Sequence, residues 1–251
     1  MNIAIITGAS SGLGVEFFKE MQKEPLDEVW VIARREQALI DVCEQYGSLK
    51  YRVIPADLTL DESIEKISNL LEIEQPNVKF LFNNAGFGVW GNFADTEMQR
   101  HCDMIDLNVK ALTKMSSICL KHMSRGSCII NVCSIVSFMP SARFSSYSAT
   151  KSYALSFSRA LRQELKKKKI NVTAICPGPM ATDFFTLSGL QEGQSKSIEL
   201  LPKCNPSKTA KRGIRAAKRG KAVYTPRLFY KLCRVLAKVV PHSILMKLIK
   251  A

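Results

Sequence analysis

No apolar run in this sequence reaches the roughly 18 residues that a membrane-spanning helix needs. Histidine is scarce: three residues lie far apart and form no metal-ligand signature, so no metal site is expected. The eight cysteines include no Cys-x-x-Cys pair, and Cys128, Cys133 and Cys176 sit in apolar, strand-like runs. They read as reduced, buried thiols rather than a disulfide framework. The N-terminus, Met1-Asn-Ile-Ala-Ile-Ile-Thr-Gly8, lacks a basic leader, so a cytoplasmic chain without a signal peptide is expected. Acid is missing from one region only. From Lys203 onward there are 14 Lys and Arg and no Asp or Glu, whereas residues 1–202 hold 22 of each sign. The net charge of +14 therefore belongs to the last 49 residues, which points that segment at an anionic partner or surface.

There is no internal repeat, low-complexity tract or linker. A chain of 251 residues, 46% hydrophobic, suits one large α/β domain or two small ones. Short apolar runs begin at Asn2, Glu28, Tyr51, Val78, Cys128, Ile170 and Ala222, and helical periodicity fills the intervals. Strands alternating with helices through residue 225 imply a single doubly wound parallel α/β sheet. Residues 226–251 read as an amphipathic helical extension packed on or next to it. Thr96-Glu-Met-Gln99 has the form of a capping box opening a helix that runs to about Met123. Residues 184–205 lack a clear period and hold Phe184, Phe185 and Leu187, a candidate lid.

The first strand runs into Gly8-Ala-Ser10-Ser11-Gly12-Leu13-Gly14 and then a helix. Strand, glycine-rich turn and helix N-terminus are the parts of a phosphate cradle, although the spacing is G-x-x-x-G-x-G rather than G-x-G-x-x-G. At the end of the second strand, where an acid would hold a ribose 2′-hydroxyl, stands Ala33, followed by Arg34 and Arg35. A guanidinium pairs with a 2′-phosphate that an acid would repel.

Further along, Tyr147 and Lys151 are four apart and share a helix face. An ammonium beside a phenol favours the phenolate, and such a phenol is a usable general acid or base. Ser134, at the end of the preceding strand, can aim a hydroxyl at the same place. Taken alone, a Tyr-x-x-x-Lys pair is more often a half-buried tyrosine beside a solvated lysine.

Together, Thr7-Gly8-x-x-x-Gly12-x-Gly14, Asp57, Asn83-Asn-Ala-Gly86, Asn108, Ser134, Tyr147-x-x-x-Lys151 and Pro177-Gly178 resemble the short-chain dehydrogenase/reductase family, in order and spacing, over about residues 1–183. One departure is Ala111, where the family more often has glycine. The resemblance implies a Rossmann sheet of about seven strands and a nicotinamide cofactor, here NADP(H). It implies that Gly8, Ser10, Ser11, Gly12, Leu13 and Gly14 line phosphates and ribose, with Arg34 and Arg35 beside them. Asp57 and Leu58 would hold adenine, and Asn84, Ala85 and Gly86 would pass along the cofactor. Pro177, Gly178, Met180 and Thr182 would meet its carboxamide end. Ser134 would bind the carbonyl oxygen and Tyr147 would protonate it. Lys151 would bind the nicotinamide ribose and lower the Tyr147 pKa, and Asn108 would hold a water that feeds protons to Lys151.

Three functions follow. The first is NADP(H)-dependent interconversion of a secondary alcohol and a ketone on a bulky apolar substrate, a hydroxysteroid or bile acid in particular. Phe87, Val89, Trp90, Phe138, Met139, Phe144, Phe184 and Phe185 all fall near the expected pocket, although about half should be ordinary core. The second is a 3-oxoacyl-thioester reductase whose basic tail meets an acidic carrier or coenzyme A. The third is a non-catalytic nucleotide sensor or scaffold. The expected partners are a small apolar or amphipathic substrate and further copies of the chain, as dimer or tetramer, and no nucleic acid. In the tail, Leu228, Leu232, Val235, Leu236 and Val239 recur at helical spacing, as do Ile244, Leu245, Leu248 and Ile249 after Pro241. An amphipathic helix ordinarily buries such a face on its own domain or a second subunit; the alternative is peripheral contact with an anionic membrane.

Overall fold

Runs rich in Ile, Val and Phe, apolar on both faces, form strands that must be covered by helices on both sides. The structure, a computed structural model, describes residues 1–182, 184, 188–190 and 195–248. In chain order the first half contains β1 (Asn2–Thr7), α1 (Gly12–Met21), β2 (Glu28–Ala33), α2 (Glu36–Tyr46), β3 (Lys50–Pro55), α3 (Asp61–Glu74), β4 (Asn77–Asn83) and α4 (Met98–Ile105). A π turn (Asp106–Ala111) leads into α5 (Leu112–Leu120), β5 (Cys128–Val132), a 3-10 turn (Ile135–Phe138), α6 (Ser145–Glu164) and β6 (Asn171–Ile175). After a helical turn at Lys196–Glu199 come α7 (Pro206–Lys218), β7 (Val223–Tyr224), α8 (Leu228–Val239) and α9 (His242–Leu248). Asp183, Phe185, Leu187 and Ile249 lie outside the described residues.

The strands form one parallel seven-stranded sheet in the order β3-β2-β1-β4-β5-β6-β7. One face is packed by Ile64, Ile67 and Leu71 of α3, Met115 of α5 and Leu161 of α6. The other is packed by Phe17, Phe18 and Met21 of α1, Leu39 of α2 and Ile214 of α7. Chain order reverses between β1 and β4, so their carboxyl ends diverge into helices on opposite faces and leave a crevice.

Two expectations are corrected here. The Thr96 capping box does not form: Thr96 Oγ1 donates to Asn92 O at 3.0 Å, and the cap of α4 is Glu97. The helical stretch expected to hold Asn108 and run to about Met123 forms without interruption from Met98 to Leu120, with a π segment at Asp106–Ala111 carrying Asn108. The apolar stripe of α8 does not pack on its own domain but is exposed on it; the one fully buried side chain of α8 among the described residues is Tyr230. Tyr230 packs on Gly178 just beyond β6, and its hydroxyl donates to Pro202 O at 2.8 Å.

A Cβ at Gly178 would lie 2.2 Å from the Tyr230 ring, so glycine is required by close approach. Gly178→Ala should therefore destabilise by about 1–3 kcal/mol through overpacking, and Tyr230→Ala by about 3–5 kcal/mol. Because the two share one contact, the double variant should melt above the temperature that summed single effects give. Thermal melting of the three variants checks this.

Candidate active site

A cavity of about 1270 Å³ opens at the carboxyl ends of the strands, over the β1–β4 switch point. Its floor is the glycine turn. Gly8 has φ +66°, and a Cβ there would sit 2.8 Å from Ala85 Cα, so the first glycine is dictated by both conformation and space. Thr7 Oγ1 accepts from the Asn84 and Ala85 N–H groups, each at 3.0 Å, and Asn84 Nδ2 donates to Thr7 O and Gly8 O. These bonds tie the end of β4 to the turn after β1. At the N-terminus of α1, Ser11 makes no side-chain cap bond and the first turn has no acid among the described residues. A helix end with open N–H groups and no carboxylate suits an anion.

Gly14 does not line the cavity, contrary to its expected role. A Cβ there would fall 2.1 Å from Gly8 O, so this glycine lets α1 pack against the turn. Ser10, Ser11, Gly12 and Leu13 do line it, and Thr182 closes on Gly12 from the β6 side. Arg34 and Arg35 form the rim beyond β2, with Asp57 and Leu58 beside them from β3. The exposed Arg34 guanidinium stands 3.9 Å from Asp57 Oδ2, while Asp57 Oδ1 accepts from Thr59 N and Oγ1.

The opposite wall is built by β5, α6 and the loop after β4. Ser134 caps the 3-10 turn: its hydroxyl accepts from Val136 N at 3.3 Å, and its N–H donates to Ser137 Oγ at 3.1 Å. That reciprocal cap fixes the Ser134 hydroxyl, which lines the same cavity wall as Tyr147. Tyr147 and Lys151 are both buried on α6, with the Lys151 Nζ 5.8 Å from the phenol ring centroid and donating to Val132 O at 2.9 Å. Burial pushes the Tyr147 phenol well above the usual tyrosine range, with the Ser134 hydroxyl opposing it. The expected lowering by Lys151 is not what this geometry produces, because the ammonium is engaged by a carbonyl and desolvation dominates. Burial also holds Lys151 below the usual lysine range, opposed by the Cys133 and Cys176 thiols.

Asn108, in the π turn, lies behind the wall rather than on it. Its Oδ1 accepts from Phe87 N at 3.1 Å, and its Nδ2 donates to Phe87 O at 2.9 Å and Thr150 Oγ1 at 3.1 Å. Asn108 and Lys151 flank Gly86, where a Cβ would lie 2.6 Å from Asn108 Oδ1 and 3.2 Å from Lys151 Nζ. Pro177, Gly178 and Met180 complete the wall from the β6 side.

Of the apolar candidates, Phe87, Phe138, Met139, Phe144 and Phe184 line the cavity. Val89 and Trp90 support Phe144 from behind, the Trp90 and Phe144 rings standing edge-on at 4.9 Å. Phe184 and Phe144 flank the Tyr147 ring at 5.4 and 5.3 Å. Missed from sequence were Leu201, Phe229, Tyr230, Cys233 and Met246, which close the cavity from the C-terminal segment. The aromatic pair Phe229-Tyr230 in an otherwise basic tail was the available signal.

A dinucleotide-type α/β fold with a phenol, a hydroxyl and an ammonium on one cavity wall defines a nucleotide-dependent oxidoreductase class. The sequence matches the short chain dehydrogenase family over residues 2–192, and the chain belongs to that family. An uncharacterized oxidoreductase of Staphylococcus epidermidis is 27% identical over 199 residues, covering 78% of this chain and 85% of the relative. Among solved structures, a short-chain dehydrogenase from Sphingobium yanoikuyae in complex with NADPH superposes with TM-score 0.82 at 25% identity, covering 100% of this chain and 97% of that one. The bulky-bulky ketone specific alcohol dehydrogenase from Comamonas testosteroni has the same fold, with TM-score 0.77, 23% identity and coverage of 100% and 95%.

The Asn108 amide is the clearest structural dependency in the wall. Asn108→Ala orphans the Phe87 backbone pair and should lower stability by about 1–3 kcal/mol. Amide exchange at Phe87 should accelerate more than exchange in β1, which the substitution does not touch.

Proposed function

We propose that this oxidoreductase uses NADP(H) to interconvert a secondary alcohol and a ketone on a bulky apolar substrate, a hydroxysteroid or bile acid in the leading case. The observation that carries the reading is the convergence of Ser134, Tyr147 and Lys151 on one wall of the cavity whose floor is the glycine turn. Drug-sized ligands occupy about 300–1,000 Å³, and this cavity of about 1270 Å³ exceeds that range, as a dinucleotide and a bulky substrate together require. The glycine cradle, which a Cβ would fill at Gly8, fits a pyrophosphate.

When bound, the cofactor supplies or accepts the hydride. The protein supplies orientation and the proton. Ser134, fixed by its cap, hydrogen-bonds the substrate oxygen. Tyr147 donates its proton to that oxygen in reduction and takes it back in oxidation. Lys151 would hold the nicotinamide ribose, and its ammonium beside the phenol would favour the phenolate. Asn108 acts as a positioning residue that holds Phe87 and, through the π turn, a water on the route to Lys151. At the other end, Arg34 and Arg35 receive the 2′-phosphate. The NADPH complex of the Sphingobium relative supports that preference.

A 3-oxoacyl-thioester substrate is the second reading, favoured by the acid-free segment from Lys203 onward. A screen with NADPH against steroid ketones, acyl thioesters and small aromatic ketones separates the two, and turnover with none leaves a non-catalytic nucleotide-binding protein.

Tyr147→Phe should bind NADPH nearly as well as the native protein yet lose about 10²–10⁴-fold in turnover; near-native turnover would overturn the assignment. The buried phenol stays protonated through neutral pH. Reduction should therefore hold its kcat/KM through neutral pH and fall as the phenol ionises in the cofactor complex, whereas oxidation should rise with pH through the same ionisation. Lys151→Met should lose both affinity and rate.

Charge-assisted contacts contribute about 1.5–3 kcal/mol each. Ala33→Asp combined with Arg34→Leu should therefore move preference toward NAD(H), read as the ratio of kcat/KM for the two cofactors. Equal native efficiency with both cofactors refutes the NADP(H) preference.

A further inference from the structure

We infer that α8 and α9 form a membrane-docking surface for an anionic lipid bilayer, placed at the mouth of the cavity. The first observation is which face of α8 is open. Tyr230 is fully buried, and Cys233, Arg234 and Ala237 follow it on the half-buried inner face. On the opposite side, Leu228, Leu232, Val235 and Val239 are 70%, 56%, 56% and 73% exposed, and Leu236 joins them. A helix tied down by one face with an aliphatic stripe on the other presents an apolar patch of the kind that marks an interaction site. In α9, Ile244 and Met246 are exposed while Leu245 is buried, which extends the apolar surface beyond Pro241.

The second observation is charge. Lys231 and Lys238 lie along one edge of the α8 stripe and are exposed. The segment from Lys203 onward carries 14 basic and no acidic residues. An apolar stripe edged by lysines, on a helix parallel to a surface, is what an anionic bilayer receives. A second copy of this chain is the poorer occupant. Pairing the stripes would bring two acid-free segments together, with no carboxylate in either to offset their lysines. No described helix is long and apolar enough to cross a membrane, so the contact is peripheral.

The third observation is continuity with the cavity. Phe229 and Met246 are partly exposed and also line it, so its rim and the docking surface share side chains. An apolar ligand in the outer lipid layer would then reach the cavity without crossing water.

The test uses the full-length protein in flotation with vesicles of phosphatidylcholine alone or mixed with phosphatidylglycerol, at low and high salt. Binding is expected to the mixed vesicles, and to weaken with salt. Lys231→Ala with Lys238→Ala should weaken it about fivefold per lysine. Leu232→Glu with Val235→Glu should abolish it while the melting temperature stays native, since neither side chain is buried. None of these four residues lines the cavity, and flotation reads the surface rather than the reaction, so its failure leaves the catalytic proposal standing. No flotation with mixed vesicles at low salt overturns the inference, as does flotation unaffected by both pairs. Sedimentation velocity gives the remaining outcome: a dimer that Leu232→Glu with Val235→Glu dissociates, without flotation of the native protein, assigns the stripe to a second copy. Should the glutamate pair fail to fold, the lysine pair still decides.

Discussion

The carboxyl ends of β1 and β4 approach each other so closely that no side chain fits between them. A Cβ at Gly8 would meet Ala85 Cα at 2.8 Å, and one at Gly14 would meet Gly8 O at 2.1 Å. Everything functional is arranged around that contact. It is held by hydrogen bonds between Asn84, the Thr7 hydroxyl and the carbonyls of Thr7 and Gly8, which fix the shape of the turn. The open N-terminus of α1 then faces the cavity, and the loop that follows Ala85 carries Gly86 between Asn108 and Lys151. One steric constraint thus sets both the phosphate end of the cavity and the position of its catalytic candidates.

At the other end, two effects oppose one another. A lysine ammonium near a phenol lowers the phenol pKa, whereas burial raises it, by up to about 3–5 units for a fully buried group. Here burial wins, because Lys151 is directed to Val132 O and the hydroxyl near the phenol is that of Ser134. This arrangement favours the protonated phenol, a proton donor. In the proposed function Lys151 would hold the cofactor ribose as well as favour the phenolate, so cofactor binding and phenol acidity would be linked through one side chain.

Much of the fold was legible because its signals are local. Glu28–Ala33 is a run with no competing reading, and it forms β2 over the same residues. The glycine turn, Ser134 and the Tyr147–Lys151 pair were legible as a pattern in register, and the structure brings them to one cavity. What was not legible depends on partners distant in sequence. Gly14 reads like the other glycines, and only the position of Gly8 O reveals a packing role. Thr96 has the spacing of a capping box, but α4 begins one residue later than that spacing requires, with Glu97 at the cap, and the Thr96 hydroxyl donates to Asn92 O. Ser134 forms the reciprocal cap with another serine, Ser137, in place of the acidic or amide partner the sequence rule seeks.

The tail shows why periodicity alone cannot decide which face of a helix is covered. Leu228, Leu232, Val235, Leu236 and Val239 have the spacing of a buried stripe, and on that ground alone they should face the sheet. The helix is instead anchored by one aromatic side chain. Tyr230 fills the space that Gly178 leaves empty and satisfies its hydroxyl on Pro202 O. A large ring in a fitted site outweighs several aliphatic contacts on a flatter surface, since burying a Tyr removes some 150–250 Å² from water in one place. With the ring inserted, rotation about the helix axis is fixed, and the aliphatic stripe must point outward. The same anchor places Phe229 at the cavity rim. Anchoring, the open stripe and the rim are therefore consequences of one packing event, and a substrate-access role for the tail requires no further conformational change.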